Sequence, residues 1–275
     1  MENLDGRVAV ITGAARGVGR ALALECAREG MHLAVADLDG ILVQEVAEEA
    51  KILGVDVIAV QVDVSEREQV DSLAEQVYNK FGEVNVLFNH AGVSVRGPVL
   101  DASVVDWEWT LAVNLWGVLH GIRAFVPRMR EQQGPAHIVN TASMSGLVAR
   151  QNEHGVYTAS KHTLVGLTNV LRDELEFEGI AVSCWCPSGM ATNQTHSNEY
   201  RPAKFGGAYE FPASSSGRLA NPMSPEEVAP RVIAGVRENR RYIITHPHRL
   251  ADVEEYYQQI WNDYDAGVRI AEELG

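Results

Sequence analysis

The sequence predicts an α/β protein built on one doubly wound parallel sheet of about seven strands, with helices on both faces and an extra C-terminal helix. Three observations predict it. Short β-rich runs recur at 8–11, 33–36, 57–60, 84–88, 137–140, 182–186 and 242–245. Amphipathic stretches separate them, which gives the strand–helix rhythm of parallel sheets. Most of the runs are apolar without alternation, as strands covered on both faces must be.

Each element follows from local chemistry. The first three helices are expected over 18–29, 40–53 and 66–81, stopped by Gly30, Gly54 and Gly82, because glycine accepts the left-handed backbone that ends a helix. Longer helices are expected over 104–132 and 156–177. From 187 to 225 the rhythm breaks into a stretch rich in Pro, Gly and Ser, too long for an ordinary connection and therefore functional or mobile. Ser224 then caps a helix that opens at Pro225. In the tail, 249–275, Leu250, Val253, Tyr257, Ile260, Trp261, Tyr264 and Val268 recur at helical spacing. Their apolar face has to be covered by the chain itself or by a neighbouring subunit. Nothing forces a second domain, so 1–275 reads as one.

Composition excludes several partner classes. Of 275 residues, 23 are Lys or Arg and 37 are Asp or Glu, a formal charge of −14. That sign repels phosphate backbones and anionic lipid surfaces, which argues against nucleic acid and membranes. No leader-like N-terminus and no apolar run of membrane length is found, so a soluble, cytoplasmic protein is expected. Cys26, Cys184 and Cys186 lack the second ligand pair of a zinc site and read as reduced, buried thiols, so no metal is expected.

The first motif is Thr12-Gly13-Ala14-Ala15-Arg16-Gly17-Val18-Gly19, between the first strand and the first helix. Gly13, Gly17 and Gly19 let the backbone turn and approach a ligand, while the helix presents free N–H groups to a pyrophosphate. This is the turn of a Rossmann-like dinucleotide site. Asp37 ends the second strand about 20 residues later, where a carboxylate accepts both hydroxyls of an adenosine ribose and repels a 2′-phosphate. It favours NAD over NADP. Arg16 points the other way, since it could pair with that phosphate, although a solvated surface charge is the expectation for it. Asp63-Val64 closes the third strand, where it could flank the adenine or simply cap a helix.

The second motif, Tyr157-Thr158-Ala159-Ser160-Lys161, sets a phenol and an ammonium on one helix face. A free Tyr has a pKa near ~10, too high for a base at neutral pH. A positive charge ~4 Å away is worth about 4 kcal/mol at an effective dielectric of 20, enough to bring the phenol toward neutrality before desolvation. Such a pair can exchange a proton near pH 7. Ser143 follows the fifth strand, at the sheet edge where open α/β folds bind ligands.

Together these features resemble the short-chain dehydrogenase/reductase family, from Arg7 to about Thr245. The loop 12–19 carries the spacing Thr-Gly-x-x-x-Gly-x-Gly, and Asn89-His90-Ala91-Gly92 is similar to the family's Asn-Asn-Ala-Gly. His90 is a departure that could titrate beside the cofactor. Asn114, Ser143, Tyr157 and Lys161 match the family tetrad. The resemblance implies that Tyr157 exchanges the substrate proton, Ser143 holds the substrate oxygen, and Lys161 tunes Tyr157 and reaches the nicotinamide ribose. Asn114 would anchor a proton-relay water or simply satisfy a kinked helix. Asn89, Ala91 and Gly92 would then adjoin the cofactor. Pro187-Ser188-Gly189-Met190-Ala191-Thr192 resembles Pro-Gly-x-x-x-Thr with Gly189 displaced by one, so Pro187, Gly189 and Thr192 are expected at the nicotinamide.

The resemblance implies an NAD-dependent alcohol dehydrogenase or ketone reductase. Epimerisation or dehydration on the same fold, and a non-catalytic dinucleotide sensor, are the alternatives. Met190, His196, Tyr200, Phe205, Tyr209, Phe211 and Pro212 make 187–225 a candidate lid over a bulky, hydrophobic or aromatic substrate. Segments 224–228 and 242–247 look similar to bacterial dehydrogenases acting on aryl-ether benzylic alcohols. Family members pair through their two long helices, so a homodimer or homotetramer is expected.

Overall fold

The computed structural model describes residues 1–149, 154–191, 193–209 and 222–275. Seven strands form one sheet: β1 (Val8–Thr12), β2 (His32–Asp37), β3 (Val57–Gln61), β4 (Val86–Asn89), β5 (Ala136–Thr141), β6 (Ile180–Trp185) and β7 (Tyr242–Ile243). Their order is β3-β2-β1-β4-β5-β6-β7, and every pair is parallel. Val84, Asn85, Cys186, Ile244 and Thr245 fall outside strands that the sequence assigned to them. Around the sheet lie α1 (Gly17–Arg28), α2 (Gly40–Ile52), α3 (Arg67–Phe81), α4 (Val104–Leu111), α5 (Gly117–Met129), α6 (Gly155–Leu175), α7 (Pro225–Arg237) and α8 (Leu250–Leu274).

The apolar strands feed two cores because successive side chains point to opposite faces. In β1, Val8 and Val10 pack with Leu73, Phe125 and Leu164 from α3, α5 and α6. Ala9 and Ile11 pack on the other face with Leu22, Val46 and Val232 from α1, α2 and α7. This is why the strands show no polar alternation. The order reverses between β1 and β4, whose successors run to opposite edges, and the carboxyl ends of such strands leave a crevice.

Two local features differ from a plain reading of the sequence. The helix expected over 104–132 is interrupted by a π-turn at Ala112–Trp116 and ends at Met129. The tail helix forms at full length, 25 residues, yet none of its residues is buried. Ser224 does cap α7: its hydroxyl accepts from Glu227 N at 3.2 Å while Glu227 returns a carboxylate to Ser224 N at 2.8 Å. Among the described residues no helix is long and apolar enough to cross a membrane.

Candidate dinucleotide and catalytic site

A groove of about 1050 Å³ opens at the β1/β4 crevice. Its walls include Gly13, Arg16, Gly17, Val18, Asp37, Asp63, Val64, Ala91, Gly92, Tyr157, Lys161, Pro187 and Met190. The structure thus brings most of the expected site residues to one cleft. Gly19, Asn89, Asn114, Ser143 and Gly189 are not among its wall residues. Thr192, Phe211 and Pro212 lie outside the described residues.

The glycine loop is tight for steric reasons. Gly13 has φ +72, and a Cβ there would lie 2.7 Å from Ala91 Cα. A Cβ on Gly19 would lie 1.9 Å from Gly13 O, so no other residue fits. Thr12 joins the loop to the end of β4: its hydroxyl donates to Phe88 O and accepts from His90 N and Ala91 N at 3.0 and 3.2 Å. Arg16, at the N-cap of α1, makes no capping bond with its side chain, so the first N–H groups of the helix remain for a ligand.

At the far end of the groove the Asp37 carboxylate is already oriented. Oδ2 accepts from Ala15 N at 2.9 Å and Oδ1 from Asp39 N at 3.1 Å. Burial raises its pKa, and those two N–H groups oppose the rise. Arg16 is not the solvated surface charge expected of it. It donates to Asp39 Oδ2 at 2.6 Å and lies 4.4 Å from the Tyr200 ring centroid. Asp63 lines the groove but also pairs with Lys204 at 2.9 Å.

The proton-transfer candidates meet at the inner end. Tyr157 and Lys161 occupy one face of α6, both buried, with Lys161 Nζ 5.6 Å from the Tyr157 ring centroid. Nζ donates to Thr141 O at 2.7 Å. Burial lowers its pKa to about 8, so it still carries its charge at neutral pH. Asn114 sits in the π-turn, a geometry that recurs at functional sites. Its Oδ1 accepts from Val93 N at 2.8 Å, and Nδ2 donates to Val93 O and Ser160 Oγ, each at 3.0 Å. That amide ties the turn to the loop after β4 and to α6, with one acceptor site of Oδ1 left over. Ser143 is buried just beyond Ala142, its hydroxyl accepting from Ser145 N at 3.0 Å and facing Pro187 O at 3.5 Å.

Sequence reasoning missed the backing of this site and the contacts that pin the expected lid. The His90 ring stacks on Trp185 with centroids 5.3 Å apart and meets Thr141 Oγ1 at 3.2 Å. Burial, then the Lys161 charge, lowers its pKa to about 4, while burial brings His137 to about 3. The titration feared at His90 is therefore absent near neutrality. Segment 197–209 brings Ser197, Tyr200 and Pro202 to the groove wall and is pinned at several points. Ser197 bonds Ser94 in both directions at 2.9 and 3.0 Å, and Arg201 pairs with buried Asp106 at 2.7 Å. Lys204 reaches Asp63 and Glu66. Such contacts span about a hundred residues and leave no local pattern to find. Among the described residues no cluster of three His, Cys, Asp or Glu is arranged to hold a metal.

Two imidazoles, His137 buried and His90 half-buried in the groove wall, set a pH dependence. An unfolded chain binds a proton on each near pH 6.5, whereas the folded chain does so only near 4 and 3. Stability is therefore full above about pH 6.5 and falls as pH drops toward 4, by about 1.4 kcal/mol per pH unit for each ring. Urea unfolding at pH 6 and pH 5 should show a slope shallower by about that amount in His90→Asn. Equal slopes would contradict a desolvated, neutral ring.

A family model, two relatives and one solved structure are similar to this chain. A family model described as short chain dehydrogenase matches residues 7–202. The C alpha-dehydrogenase of Sphingobium is 32% identical over 94% of this chain and 87% of its own. The 1-deoxy-11-beta-hydroxypentalenate dehydrogenase of Streptomyces exfoliatus is 31% identical over 94% and 90%. A solved short chain dehydrogenase/reductase from Burkholderia phymatum, in complex with NAD, superposes with a TM-score of 0.89 at 37% identity, covering 96% and 97% of the two chains.

Proposed function

The chain belongs to the short-chain dehydrogenase family of oxidoreductases, and on that premise we propose that it is an NAD-dependent dehydrogenase of bulky, hydrophobic or aromatic secondary alcohols, or a reductase of the matching ketones. One observation carries the reading. A preset Asp37 carboxylate and a buried Tyr157/Lys161 pair line one and the same groove. The residues fit a dinucleotide: a Cβ would fill the cradle at Gly13 and Gly19, and the start of α1 is uncapped. The solved neighbour bound to NAD supports the cofactor, and the hydroxylated substrate named for the Streptomyces relative supports the alcohol.

The first turn of α1, with Gly13, Gly17 and Val18, would receive the pyrophosphate. Asp37 would accept the ribose hydroxyls, and Asp63 with Val64 would flank the adenine. Ala91, Gly92, Pro187 and Met190 would line the nicotinamide end, backed by Asn89 and Gly189. When bound, the oxidised nicotinamide supplies the acceptor for the hydride leaving the alcohol carbon. Tyr157 takes the alcohol proton, so the C–O bond becomes a carbonyl with charge balanced. Lys161 holds the phenol acidic and has two further N–H groups for ribose hydroxyls. Ser143, freed from Pro187, hydrogen-bonds the substrate oxygen and steadies its developing charge. Asn114 acts through the π-turn that it fastens.

Val93, Trp109, Val113 and Met190 make the inner groove apolar, which suits a hydrophobic substrate. The described parts of 187–225 act as its lid, with 197–209 as the strap, while 192 and 210–221 lie outside the described residues. We assign 1–275 to one dinucleotide-binding and catalytic domain, and the reduced, buried cysteines suit the cytoplasm. A screen of aromatic, alicyclic and steroid-like secondary alcohols with NAD, followed by absorbance of the reduced nicotinamide, tests the activity. Products formed without net redox change would transfer the site to epimerisation or dehydration.

Oligomerisation is part of the same reading. Trp116 is exposed at the end of the π-turn and Val170 on α6, and Tyr257, Ile260, Trp261, Tyr264 and Val268 are exposed on α8. A second copy of the chain covers these faces in a dimer or tetramer. Sedimentation should give at least twice the monomer mass, and removal of 250–275 should weaken the assembly; a monomer at micromolar concentration would refute it.

A further inference from the structure

We infer that Asp39 is a specificity-determining residue that keeps Arg16 away from the 2′-phosphate of NADP. This rests on the dinucleotide reading above. Arg16 follows Ala15, whose N–H is bonded to Asp37, so the guanidinium stands beside the carboxylate assigned to the adenosine ribose. An arginine there is the residue that accommodates a 2′-phosphate. Here it is already engaged on two sides. Asp39 caps α2 with Oδ1, which accepts from Ile41 N and Leu42 N at 3.1 and 3.0 Å, and this fixes Oδ2 at 2.6 Å from Arg16. The N–H of Leu42, with Arg16 beside it, holds the Asp39 carboxyl below the usual range. Tyr200, from the strap, lies 4.4 Å from the guanidinium carbon.

The pair is therefore no floppy surface contact. One carboxylate oxygen is bound by a helix terminus, and the arginine contacts both that carboxylate and an aromatic ring. Arg16, Asp39 and Tyr200 all line the groove with Asp37. Selection against NADP then has two layers. Asp37 repels the phosphate, and Asp39 occupies the cation that would otherwise attract it. Removing Asp37 alone leaves the second layer in place.

Fluorescence titration with NADH and NADPH separates the layers in the full-length protein. Asp39→Asn keeps a capping oxygen for α2 while losing the charge; Asp39→Ser is the second variant should the amide fold poorly. Asp37→Ser/Asp39→Asn should bind NADPH roughly two- to fivefold more tightly than Asp37→Ser alone, the range of a partly exposed ion pair. Adding Arg16→Gln should abolish that gain. Equal NADPH affinity in the single and double variants overturns the inference, as does a gain that survives without Arg16. Failure of the wild type to bind NADH overturns the dinucleotide reading itself, and is told apart because it precedes any variant.

Discussion

Replacing Tyr157 with phenylalanine should lower kcat by about a thousandfold, within the range general acid–base catalysis supplies, while dissociation constants for NADH change little. The ring stays: Tyr157 is 9% exposed, and phenylalanine fills the same volume beside Lys161. Only the hydroxyl is lost. Without it the substrate proton has no acceptor of tuned pKa, since Lys161 is spent on Thr141 O and keeps its charge below about pH 8. Turnover and binding must be measured separately. Full activity in Tyr157→Phe would remove this residue from the chemistry, and loss of NADH binding in parallel would mean that the ring supports the cofactor instead.

The second large effect is expected at Gly19. A methyl group there would sit 1.9 Å from Gly13 O and 3.0 Å from the His90 ring, so the loop has to open. Overpacking of this kind costs about 1–3 kcal/mol of stability, and moving Gly13 off Ala91 spoils the cradle for a pyrophosphate. Gly19→Ala should weaken NADH binding by about a hundredfold or more, since about 1.4 kcal/mol corresponds to each factor of ten. Gly166→Ala provides the contrast: nothing lies within 4 Å of a Cβ there, in the interior of α6. That substitution should stabilise the chain by about 0.5–1 kcal/mol. Urea unfolding alongside NADH titration checks both, and a Gly19→Ala protein that binds normally would show that the loop has slack.

Much of this protein was legible residue by residue. The glycine loop, Asp37 at a strand end and Tyr157 four residues before Lys161 are short-range patterns. Each depends on a backbone conformation that contiguous residues enforce, whether a positive φ, a period of two or a helical turn. The two cores follow likewise from apolar strands that alternate faces, Val8 and Val10 one way and Ala9 and Ile11 the other. Local physics was enough for these.

Tertiary structure decided the rest. Whether Arg16 is a free cation depended on Asp39, 23 residues away, and on Tyr200 from a distant segment. His90 looked able to titrate until Trp185 stacked over it and burial took its proton. The π-turn at 112–116 arises where Asn114 grips Val93, not from a helix-breaking residue. Periodicity placed α8, but the chain's own fold leaves its apolar face bare. An isolated sequence specifies which groups are available and how each stretch bends. Which charge meets which partner is settled only when segments far apart are packed, because pairing and desolvation depend on distance and not on order along the chain.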